Sequence, residues 1–151
     1  AHPVLRGANI GRYRMRWDGL YVVYRPEELH DPARRESFEY PEKLLMRRLG
    51  SKLTVTLDRG RFFVMDTLYT MIPLTSNVQN GYVLAVLNSR HVSAYYRLFV
   101  PVKGRTFPEV RIFDANRLPI RRIDFTTPDE EREELVFFED VMSHLYLFRG
   151  F

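Results

Sequence analysis

The stretch Lys52-Leu53-Thr54-Val55-Thr56-Leu57-Asp58-Arg59-Gly60-Arg61-Phe62-Phe63-Val64-Met65 decides the fold class. Leu53, Val55 and Leu57 alternate with Thr54 and Thr56, the period of a strand with one apolar face; Asp58-Arg59-Gly60 supplies turn chemistry, and an apolar run returns at Phe62. The pattern predicts a hairpin over about 52–65. Upstream, Lys43 to Leu49, closed by Gly50, fits helix or strand on periodicity alone. Gly19 to Tyr24 is β-branched and aromatic, ends at Pro26, and reads as a buried strand. Residues 25–42 are cut by Pro26, Pro32 and Pro41 and read as a loop holding a short helix, while Leu68 to Ile72 is a strand stopped by Pro73.

Beyond residue 78 the period changes. Tyr82, Val83, Val86 and Leu87 recur at helical spacing, and Asn88-Ser89 breaks that run and caps a second helix with Val92, Tyr95, Tyr96 and Phe99 on its apolar side. Residues 100–108 form a basic loop bounded by Pro and Gly, followed by a short strand at Val110–Phe113 and a stop at Leu118-Pro119-Ile120. Thr127-Pro128-Asp129-Glu130 is a helix start with a capping hydroxyl, and Leu135, Phe138, Met142 and Leu145 form one apolar stripe after it. The expectation is an α+β fold, with a twisted, mostly antiparallel sheet, two short helices over about 79–99 and a C-terminal helix over about 128–148.

Charge divides the chain at the same place. Residues 1–122 hold 21 of the 23 basic and 11 of the 19 acidic groups, net +10; residues 123–151 hold 2 basic and 8 acidic groups, net −6. We read 1–122 as a recognition unit and 123–151 as an acidic helix that packs on it or links it to another domain. Arginine accounts for 20 of the 23 basic residues. Its planar fork suits phosphate and the edge of guanine. A GC-rich coding sequence also enriches arginine, but it does not segregate charge. Arg6, Asn9, Arg12, Tyr13, Arg14 and Arg16 lie in one stretch with Trp17, Arg47 and Arg48 lie near the end of the 43–49 segment, Lys52, Arg59 and Arg61 surround the expected hairpin, and Lys103 and Arg105 lie in the Gly-containing loop. In an extended segment Arg12, Arg14 and Arg16 would share one side. Converging on one face, these groups would clamp phosphates and reach base edges.

Other chemistries find little support. Without cysteine there is no disulfide, thiolate metal site or Cys nucleophile, and no apolar run approaches a membrane span of about 20 residues. His2, His30, His91 and His144 are scattered, and no GxSxG, Walker-type or GxGxxG motif is present. The N-terminus lacks a signal-peptide core, so a cytoplasmic location is expected, and a chain starting at Ala1 reads as a piece of a longer protein. Two rival functions stay open. One is an interaction module whose acidic 129–140 run engages a basic partner; the other is a magnesium-dependent nuclease built from Asp58, Asp66, Glu109 and Asp114 with Lys103.

Several motifs carry a family resemblance in order along the chain. Val4-Leu5-Arg6-Gly7-Ala8-Asn9-Ile10-Gly11-Arg12-Tyr13 is followed by Asp18-Gly19-Leu20-Tyr21, then by Pro41 to Arg48 and by Phe63 to Tyr69. Leu84 to Ser89 with Tyr95-Tyr96, Lys103 to Phe107 and Leu118-Pro119-Ile120 complete the series, which spans about 3–122. Together they resemble the TaqI-like C-terminal specificity domain of adenine-N6 DNA methyltransferases and fused restriction-modification enzymes. Ala8 stands where that family commonly has an acidic or polar residue, and Asp66 where Asn is usual.

The resemblance implies that 43–49 is a strand. It also implies a target-recognition domain that binds double-stranded DNA opposite a methyltransferase catalytic domain of the same parent chain, where an adenine is flipped out and methylated from S-adenosylmethionine. The family's Asn/Asp-Pro-Pro-aromatic signature and its cofactor-binding motif are absent from this sequence, so the fragment is expected to hold no cofactor and to be non-catalytic. Arg12, Arg14, Arg47 and Lys103 are the leading candidates for DNA contacts, with Arg6 and Arg105 next.

Overall fold

The computed structural model describes residues 1–29, 33–74, 79–100, 108–121 and 146–149. Its elements run β1 (His2–Leu5), β2 (Ile10–Gly11), β3 (Arg14–Met15), β4 (Tyr21–Val22), α1 (Arg35–Glu39), β5 (Lys43–Arg47), β6 (Val55–Asp58), β7 (Phe63–Val64), β8 (Leu68–Pro73), α2 (Asn80–Leu87), α3 (Arg90–Phe99), α4 (Ile112–Asn116) and β9 (Tyr146–Arg149). The strands form a four-stranded sheet ordered β6-β5-β8-β9, a three-stranded sheet ordered β4-β1-β7 and a β2–β3 pair. All described pairings are antiparallel except β1 with β7. The fold is α+β, as the sequence implies, with the strands divided among three sheets.

β5 is the central element, flanked by β6 and β8. Leu44 and Met46 join one core with Val55, Met71, Val83, Leu87, Val92, Tyr96 and Leu118, drawn from the neighbouring strands and the helical layer. Leu45, on the opposite face, joins a second core with Val4, Leu5, Phe38, Phe63, Val64 and Leu68. A strand buried on both faces has no polar side to alternate with its apolar one, and this explains why its sequence period was ambiguous. The same strand starts with a fully buried ion pair: Lys43 Nζ lies 2.5 Å from Asp58 Oδ2 and also donates to the Phe38 carbonyl at 2.5 Å. Burial pushes the Lys43 pKa down, against the opposing pull of Asp58.

Several expectations are corrected. β6 pairs with β5, while β7 pairs with β1, so 52–65 is not a hairpin. The Asp58 carboxylate accepts from Gly60 N at 2.7 Å and Phe62 N at 3.1 Å, and Arg61 turns the chain at φ 53°. Those contacts take amides that a hairpin ladder would use and direct the chain across to β1. The expected buried strand at 19–24 is reduced to β4 at the sheet edge, with Tyr21 and Val23 exposed. The expected strand at Val110–Phe113 is a single bridge, Leu49 to Glu109, followed by α4, with Arg111 extended at its N-cap. Tyr95 is exposed and does not belong to the apolar side of α3. Most of the helix expected over 128–148 lies outside the described residues, but Tyr146 to Phe148 belong to β9, which covers the outer edge of β8. An open edge supplies backbone partners that favour a strand there.

The α2–α3 junction follows the sequence reading. Ser89 caps α3, its hydroxyl accepting from Val92 N at 3.1 Å. Asn88 lies against β6, an edge strand. Its amide donates to the Val55 carbonyl at 2.9 Å and accepts from Val55 N at 3.0 Å, so one side chain partners both outward backbone groups of Val55.

Candidate nucleic-acid interface

The β2–β3 pair is a tight ribbon in which Ile10 faces Met15 and Gly11 faces Arg14, with Arg12 and Tyr13 at the turn. Tyr13 takes φ 64°, unusual for a bulky side chain, and its backbone N–H donates to the Val55 carbonyl at 3.1 Å. The ribbon forms one wall of an open groove of about 720 Å³, whose other walls are the one-turn helix at Gly7–Asn9, the end of β5 and the segment at Lys52 and Thr54. Arg12, Arg14, Arg16, Arg47, Lys52 and Asn9 line it, and among the described residues no carboxylate does. Sequence reasoning named all six, and the fold collects them in one place.

They differ in how they are held. Arg14, Arg16 and Lys52 are exposed, and Arg14 lies across Gly11: a Cβ at Gly11 would come within 2.9 Å of its Nε. Arg12 folds back, its Nε donating to the Leu53 carbonyl at 3.1 Å and its Nη2 to Ser93 Oγ at 2.8 Å. Arg47 Nη2 donates to the Ile10 carbonyl, and its Nε is buried with no hydrogen-bond partner among the described residues. Asn9 is a local tie: its amide accepts from Arg6 N at 2.7 Å and donates to the Arg16 carbonyl at 3.2 Å. Because Tyr13 sits at positive φ in a turn, Arg12, Arg14 and Arg16 do not share one extended side, and the shared-side expectation is replaced by a groove wall and a turn.

The other candidates lie elsewhere. Arg6 lines an adjoining groove of about 510 Å³ with Arg47, Asp66 and Thr67, and pairs with Asp18 at 2.5 Å. The Asn9 amide and the Arg6 guanidinium hold the Asp18 carboxyl below its ordinary pKa. Arg48 pairs with Glu109 at 2.5 Å, which raises its pKa, and its guanidinium lies 5.9 Å from the Tyr69 ring centre. Arg59 pairs with Glu42 at 2.8 Å, and Arg59 and Arg61 sit on the β6–β7 turn, outside the groove lining. Lys103 and Arg105 lie outside the described residues.

The acids of the nuclease reading lie in different places: Asp58 pairs with Lys43, Glu109 with Arg48 and Asp114 with Arg111 at 2.8 Å, while Asp66 lines the adjoining groove beside Arg6. Among the described residues, no three His, Asp or Glu side chains gather as a metal site. The acidic 129–140 run of the interaction-module reading lies outside the described residues. Sequence reasoning missed Gly11, Asn88 and Ser93. Only Gly11 left a local signal, a glycine beside a run of arginines; Ser93 reaches Arg12 of the ribbon, and Asn88 reaches Val55 of β6, across positions far apart in sequence.

The fold is α+β, and the ribbon and β5 gather five cationic side chains in one groove. The profile of the TaqI-like C-terminal specificity domain matches residues 2–120, and the chain belongs to that family, whose members recognise DNA in restriction-modification methyltransferases. The specificity domain is the non-catalytic part of such enzymes. No curated protein matches the chain. Among the described residues, no helix is long and apolar enough to cross a membrane.

Proposed function

We propose that this chain binds double-stranded DNA through the groove beside the β2–β3 ribbon, as the specificity domain of a cytoplasmic, site-specific adenine-N6 methyltransferase. The observation that carries the reading is the gathering of five cationic side chains in one open groove with no acid among its described lining residues. Exposed Arg14, Arg16 and Lys52 are the phosphate contacts in this reading. Arg6 is held in reserve by Asp18, and Lys103 and Arg105, outside the described residues, stand as further proposed contacts. Arg48 and Arg59, each paired with a glutamate, serve the fold first. The methyl donor, S-adenosylmethionine, is assigned to a catalytic domain of the parent chain. Residues 1–122 act as the recognition unit, and after them the chain returns to the main sheet at β9.

Salt-dependent binding tests this. With a fluorescein-labelled duplex and increasing sodium chloride, each of Arg14→Ala, Arg16→Ala and Lys52→Ala should flatten the slope of log K against log salt by about 0.9. A folded triple variant that binds with the parent's affinity and slope would refute the groove.

A further inference from the structure

The groove's arginines divide into exposed groups and groups tied to backbone, and Arg12 is the most heavily tied. Resting on the DNA-binding reading above, we propose that Arg12 is a positioning residue that acts on DNA through Arg14, with Ser93 of α3 as its anchor. Its Nε and Nη2 reach two acceptors in different parts of the fold, the Leu53 carbonyl at 3.1 Å and Ser93 Oγ at 2.8 Å. Ser93 is nearly buried, and its hydroxyl proton goes to the Ser89 carbonyl at 2.7 Å, which leaves the oxygen free to accept from Arg12. Ser89 is in turn the cap of α3, so the anchor stands on a fixed helix start.

The next residue adds a third fixed point. Tyr13 N donates to the Val55 carbonyl, the oxygen that also accepts from Asn88. The turn is thus fastened at Leu53, Val55 and Ser93, all outside the ribbon. This fastening holds Tyr13 at its positive φ and sets the direction in which the chain leaves the turn. Arg14 follows at once, lies across Gly11 and enters the groove. A planar guanidinium can span two acceptors at an angle, whereas an ammonium is a point donor on a flexible stem. The position calls for arginine because of that geometry, independently of DNA.

Substitution on the anchor side separates positioning from contact, because Ser93→Ala leaves every groove charge in place. Binding of the same labelled random-sequence duplex is measured over a sodium chloride series, with thermal melting as the check on folding. Expected is a several-fold loss of affinity for Ser93→Ala with the salt slope unchanged. Arg12→Lys should lose as much as Arg12→Ala, again at constant slope, while Arg14→Ala flattens the slope by about 0.9. The proposal is overturned if Ser93→Ala binds like the parent, Arg12→Lys restores affinity, and Arg12→Ala flattens the slope as a phosphate contact would. Should the Arg14, Arg16 and Lys52 variants also bind like the parent, the DNA reading of the groove fails, and that outcome is distinct from the failure of Arg12 as a brace.

Discussion

Gly11 and Arg14 face each other across the ribbon, and the absent side chain of one makes room for the other. Gly11→Ala should therefore move the flexible Arg14 side chain at a stability change within about 0.5 kcal/mol, yet weaken DNA binding; melting and anisotropy on one sample check both. Asp18 restrains Arg6 in the adjoining groove. Asp18→Asn should release it, raising duplex affinity at low salt and steepening the salt slope by up to about 0.9. The pH dependence of this tie follows from its lowered folded pKa. Its stabilising contribution is present above the unfolded Asp value near 3.8 and is lost as pH falls through the lower folded value, so neutral and mildly acidic buffers leave it intact. The candidate residues were readable as a set because arginine has few other reasons to cluster so densely near one end of a chain. Their separate roles were not, since whether a guanidinium faces water, Ser93 or Glu109 depends on partners far away in sequence.

Among the elements, β6 shows what local pattern can and cannot determine. Its alternation gave the strand and its apolar face, and Val55 is indeed in the core. Its partner was misread because the Asp58 side chain, buried against Lys43, captures the amides of Gly60 and Phe62. The cap at Ser89 was legible because a cap is a short-range interaction. The covering of β6 by Asn88 was not, although it is the costlier one to lose. Asn88→Ala leaves both Val55 backbone groups without that partner, and a loss of about 2–4 kcal/mol is expected, seen as an earlier midpoint in urea unfolding. At the opposite edge, Leu147 pairs with Ile72. Leu147→Pro should break that ladder, lower stability and uncover the outer edge of β8, with concentration-dependent light scattering as the readout.

At the scale of the whole molecule, an electrostatic groove has a signature that a protein-docking surface lacks. If Arg14, Arg16 and Lys52 are the three phosphate contacts, affinity for a random duplex should fall roughly 40-fold between about 50 and 200 mM salt. Retention that ignores salt would instead favour a scaffold role. The larger architecture also assigns different tolerances to its parts. β5 meets a hydrophobic layer on each side, so a change there disturbs two packings at once. The ribbon from Ile10 to Met15 leans on that body from outside and owes its pose to a handful of anchoring bonds. It is a natural cassette for retargeting: a transplanted tip that kept Arg12 and the amide of residue 13 would inherit the mounting while bringing new chemistry to the duplex.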